Sequence, residues 1–103
     1  MSHPQWKQDS DSKVILTGSL DRESVPSLWQ FAKKWTPASD KVEVDLSHVE
    51  RVDSSGMAML IQLVKHAKNK NCHIMLSFVP EQLITLFKLS NVQELMAEHI
   101  RNN

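Results

Sequence analysis

The sequence predicts an α/β fold: a small mixed β-sheet of about four strands, the central ones parallel, with helices packed on it. Three observations predict it. Val42, Val44 and Leu46 alternate with Glu43 and Asp45 at the period of two expected of a strand, and His73 to Phe78 forms a second, more apolar run. The stretch between them carries apolar side chains at helical spacing and is long enough for one helix, so the two strands should lie parallel across a right-handed crossover. The same logic joins Lys13–Thr17 to Val42–Leu46 through an earlier helix.

Taken in order, Trp6–Gln8 and Lys13–Thr17 flank the turn-forming Asp9-Ser10-Asp11-Ser12 and predict a hairpin, with Gly18 ending its second strand. Ser24 or Asp21 is placed to cap a helix that begins at Val25, with Pro26 in its first turn, where a missing N–H costs nothing. Val25, Leu28, Trp29 and Ala32 form a core-facing stripe, Phe31 and Trp35 a second pair suited to core or sheet edge, and Thr36-Pro37 ends the helix. After the strand at Val42–Leu46 comes the central helix, reaching Lys68, with Asp53 or Ser54 as its N-cap. Beyond His73–Phe78, Pro80 opens a third helix carrying Leu83, Ile84, Phe87 and Leu89. Asn91 breaks it, and Val92, Leu95, Met96 and Ile100 mark a short final helix. The expected order is β-β-α-β-α-β-α-α, within one domain spanning residues 1–103 and without repeats or linkers.

Composition narrows the function classes. Twelve Lys and Arg balance twelve Asp and Glu, so no global field draws the chain to nucleic acid or an anionic bilayer, and a protein partner is the default. No apolar run approaches the ~20 residues that span a bilayer, so any membrane association is expected through a partner. The lone Cys72, at the start of an apolar strand, reads as an inert core thiol in a reducing compartment. His3, His48, His66, His73 and His99 show no metal-ligand spacing, and two glycines cannot make a phosphate-binding loop. Ser54 lacks a nucleophile elbow. The expectation is a non-enzyme with neither cofactor nor metal. Lys65, Lys68 and Lys70 complement the negative end of the central helix.

The chain is organised around Asp45–Lys68. In Asp53-Ser54-Ser55-Gly56 the side-chain oxygens suit the unpaired amides of a first helical turn. The same amides tolerate an anion, so a phosphorylated Ser54 fits there too and would disrupt a packed interface. Met57, Leu60, Ile61 and Val64 make one stripe, sufficient to anchor the helix to a sheet. Met59 and Leu63, with Gln62 and His66, make a second. It has no obvious use within the chain and is expected to be a free apolar flank for a partner, which methionine suits; the alternative is a helix buried on two sides.

The residues Val44-Asp45-Leu46-Ser47, followed by Val52-Asp53-Ser54-Ser55-Gly56, with Leu16-Thr17-Gly18-Ser19-Leu20-Asp21 before them, resemble the STAS domain family. That fold is shared by bacterial anti-sigma factor antagonists and transporter-associated regulators. Leu28-Trp29, Met57-Ala58-Met59-Leu60 with Ala67-Lys68, and Leu86-Phe87-Lys88-Leu89 resemble the branch that serves as cytoplasmic subunit of an ABC phospholipid transporter maintaining outer-membrane lipid asymmetry. The resemblance implies a subunit peripheral to the inner membrane that docks on the transporter's ATPase within the permease complex through its central helix. It also implies that Ser54 holds the functional hydroxyl. The site expected is Asp53, Ser54, Ser55, Met59, Gln62, Leu63 and His66. The alternative is an anti-sigma factor antagonist regulated by phosphorylation of Ser54 by a partner kinase. Asp-Ser-Ser-Gly is more usual in that branch, and Thr-Gly in the transporter branch.

Overall fold

Alternation along the strands sets one side of the sheet apart: Val14, Leu16, Val42, Val44, Leu46, Ile74 and Leu76 are all essentially sealed from solvent, together with Leu20 at the strand end. A computed structural model describes residues 2–101 and places these side chains beneath a layer of helices. The strands are β1 (Trp6–Ser10), β2 (Lys13–Leu20), β3 (Lys41–Val52) and β4 (His73–Ser77), in sheet order β1-β2-β3-β4. β1 and β2 form an antiparallel hairpin, whereas β2, β3 and β4 are mutually parallel, as the crossover argument requires. The helices are α1 (Val25–Ala32), α2 (Ser54–Lys68), α3 (Glu81–Leu89) and α4 (Gln93–Met96), the last continuing into a 3₁₀ turn at Ala97–His99. The element order matches the sequence expectation, with the 3₁₀ turn added.

The other face of the sheet is polar and half open. Lys13 Nζ lies 3.8 Å from Asp45 Oδ2, Ser77 Oγ donates to Glu43 Oε2 at 2.6 Å, and Arg101 reaches Glu43 Oε1 at 3.4 Å. Asp45 is nearly buried there. Burial pushes its carboxyl pKa up, but the hydrogen bonds from Ser47 and the charges of Lys13 and His48 outweigh that and hold it below the usual carboxylate value. The free edge of β4 is covered by the C-terminal segment: Ile100 bridges Leu76, Arg101 N–H donates to Leu76 O at 2.8 Å, and the His99 ring donates to Ile74 O at 2.8 Å.

All four strands differ from expectation at their C-terminal ends. Gly18 does not end β2. It adopts φ 75°, a left-handed conformation that glycine takes without strain, and the register shifts beside it while the strand runs on to Leu20. β3 likewise continues past Leu46 to Val52, pairing Thr17 with His48 and Leu20 with Val52. Its pairing with β4 stops at Asp45 against Ser77, so the extension is a half-open edge whose residues need not alternate. That is why Ser47-His48-Val49-Glu50-Arg51 carries no strand period. β1 runs two residues beyond Gln8, and β4 ends one residue before Phe78. Cys72 is buried as expected; its surroundings, and secondarily the Asp40 charge, push the thiol pKa up.

Candidate docking site at the start of the central helix

The site begins where β3 runs out. Asp53 leaves the strand in an extended conformation, and its N–H donates to Leu20 O at 3.1 Å, so the turn is anchored to the end of β2. Its Oδ1 accepts from the amides of Ser55 at 2.8 Å and Gly56 at 3.2 Å, capping α2; its Oδ2 takes the Arg22 amide at 3.3 Å. The cap is therefore Asp53, the first of the two expected candidates. One step back, Val52 N–H donates to Gln82 Oε1 at 3.0 Å, tying α3 to the same turn. Gly56 lets α2 approach: a Cβ built there would sit 2.2 Å from Leu20 O.

This bracing holds Ser54 at the first residue of α2, exposed to solvent. Ala58, Gln62 and Lys65 continue the same strip at helical spacing and are exposed too. Beside the strip runs a shallow groove of about 300 Å³ between α1 and α2, lined by Val25, Trp29, Ser55, Ala58, Met59 and Gln62. Deeper in, the Trp29 and His66 rings meet edge to face at 6.2 Å, and His66 Nε2 donates to Trp35 O at 2.7 Å. His66 thus pins the segment that follows α1 to α2.

The expectation of a free apolar flank is corrected. Met59 is 4% exposed and Leu63 0%, both inside the core. α1 packs against α2 and covers the stripe that the sheet leaves open, so the helix is buried on two sides. Of the expected site residues, the structure brings Ser55, Met59 and Gln62 to the groove and Asp53 and Ser54 to the adjoining cap. Leu63 is withdrawn from the surface, and His66 is half-buried in a structural bond. Val25, Trp29 and Ala58 are the residues missed. The helical stripe had placed Val25 and Trp29 in the core, and both are only half-buried. Nothing in spacing alone distinguishes a tryptophan that fills a core from one that walls a groove.

A mixed sheet in this order, with a capped hydroxyl turn between its third strand and central helix, defines the STAS class. The family model described as "Mlab, STAS domain" matches residues 5–98, and the chain belongs to that family. Among curated relatives, the intermembrane phospholipid transport system binding protein MlaB of Escherichia coli is 33% identical over 87 residues, 84% of this chain and 87% of that protein. The MlaB of Haemophilus influenzae is 31% identical over 98 residues, 91% of this chain and 93% of that one. The fold is also that of the unphosphorylated anti-sigma factor antagonist SpoIIAA, with a TM-score of 0.71 at 14% identity, covering 96% of this chain and 86% of that one.

Proposed function

We propose that this chain is a non-catalytic subunit of an ABC phospholipid transport system that maintains outer-membrane lipid asymmetry. It docks on the cytoplasmic, MlaF-like ATPase through Ser54, the exposed Ala58 and Gln62, and the groove walled by Val25 and Trp29, and supports assembly and activity of the complex. The chain is then cytoplasmic and peripheral to the inner membrane through that partner, in keeping with the fact that no described helix is long and apolar enough to cross a membrane. The relatives named for phospholipid transport support the system. The observation that carries the docking mode is the pairing of an exposed hydroxyl, braced by Asp53, Leu20 O and Gln82, with an apolar groove alongside it. Preorganised small surfaces of this kind bind with little ordering cost.

The test is titration of the purified ATPase with Ser54→Glu and Gln62→Arg. Both positions are exposed, and a carboxylate at a helix N-terminus suits its dipole, so folding should survive. Affinity should fall tenfold or more in each, about 1.4 kcal/mol. Wild-type affinity in both variants refutes the interface.

A second reading, an anti-sigma factor antagonist switched by Ser54 phosphorylation, is favoured by one observation: the Ser54 side chain is open to a kinase. Phosphate on Ser54 in protein isolated from its own cells, found by mass spectrometry, would select it. Copurification of unmodified protein with the ATPase selects the first.

A further inference from the structure

The carboxyl ends of β2, β3 and β4 point the same way, and in open α/β sheets that end is where ligands gather. The Ser54 turn follows β3 there. Phe78 follows β4, and it is anomalous in two independent respects. Its φ of 54° lies in the left-handed region, which is strained for a bulky side chain; the other two non-glycine residues there among those described, Asn71 and Asn91, are of a type that tolerates it. The residue is also 53% exposed, so the chain recovers only part of the burial its side chain could give; Leu89 and Leu95 in the helices that follow are exposed as well. A glycine or asparagine would turn the chain from β4 into α3 without either penalty.

Phe78 is nevertheless held firmly. On one side Ser77 is paired with Asp45 and bonded to Glu43; on the other Pro80 restricts Val79 and its carbonyl accepts from the amides of Leu83 and Ile84 at 3.0 and 3.2 Å, starting α3. One turn into α3, Gln82 reaches the Val52 amide just before the Asp53 cap. A rigid loop therefore connects the exposed ring to the docking turn.

We propose that Phe78 is a second anchor for the same ATPase partner, a ring held ready at the β4–α3 corner and covered only in the complex. This rests on the docking reading above and extends it from the α1–α2 groove across the end of the sheet. The partner surface it fits is an apolar pocket, since a desolvated aromatic anchor needs one.

Phe78→Asn tests it, because asparagine accepts the left-handed conformation while removing the ring. The expected result is opposite in sign for the two readouts: the melting temperature is unchanged or raised, and affinity for the purified ATPase falls tenfold or more. Unchanged affinity overturns the proposal, and so does a melting temperature lowered by more than about 5 °C, which would make the ring part of the fold. Ser54→Glu measured in parallel separates the two ideas. If it loses binding while Phe78→Asn does not, only the second anchor fails; if neither loses binding, the docking reading itself fails.

Discussion

Gly56→Ala sets two physical effects against each other. Gly56 is in the first turn of α2, where alanine is intrinsically about 1 kcal/mol better than glycine. Considered as a helix position alone, the substitution stabilises. The packing says otherwise. The new Cβ would fall 2.2 Å from Leu20 O, 2.8 Å from Leu20 Cβ and 2.9 Å from Leu20 C, the first more than an ångström inside van der Waals contact. Two of these atoms are backbone of a paired strand, so no rotamer change relieves the clash; the helix start must lift. Leu20 O is also the acceptor of the Asp53 N–H bond, which lifting breaks. Losing that bond costs about 1–3 kcal/mol. Overpacking adds about 1–3 kcal/mol more. Less the alanine gain, the net is a destabilisation of about 3 kcal/mol, or about 12–24 °C in melting temperature for a domain of this size. Circular dichroism melts with urea denaturation measure it, and under the proposed docking mode ATPase binding should weaken as well because Ser54 moves with the helix start. A variant as stable as wild type or better refutes the close-approach reasoning.

Three further outcomes follow from the packing and charges. Leu63→Asp buries a carboxylate at a position with no solvent exposure and should unfold the chain rather than merely weaken docking; a folded Leu63→Asp protein by proton NMR dispersion would contradict the buried placement. Asp45 is held below its ordinary pKa in the fold, so its contribution is complete above about pH 4 and is lost as pH falls through the lowered folded value. Asp45→Asn should cost about 1.5–3 kcal/mol at neutral pH and flatten the acid side of the stability profile, and an unchanged acid slope counts against it. The Cys72 thiol, buried and raised in pKa, should react with Ellman's reagent at pH 8 only as fast as the protein opens, so urea should accelerate labelling sharply; immediate full labelling of the native protein would show the thiol to be exposed.

Element types and order were legible in the sequence because they rest on local signals. Period-two alternation at Val42–Leu46, helical spacing from Met57 to Val64, and the capping chemistry of Asp53 are all properties of neighbouring residues. Connection lengths then made the central strands parallel, and the motif around Asp53 and Ser54 pointed to the family that the match over residues 5–98 establishes. Where a segment's environment comes from elsewhere in the chain, the local pattern was silent or misleading. The second half of β3 exists because β2 runs on through a left-handed Gly18 to pair with it. Met59 and Leu63 make a genuine second stripe, but a stripe records only that a flank is covered, not by what; tertiary packing assigned α1 to that flank and left Ser54 and Gln62 exposed and Trp29 half-buried at the groove. Gly56 is the extreme case: the backbone carbonyl that forbids a Cβ there belongs to Leu20, at the end of a strand distant in sequence.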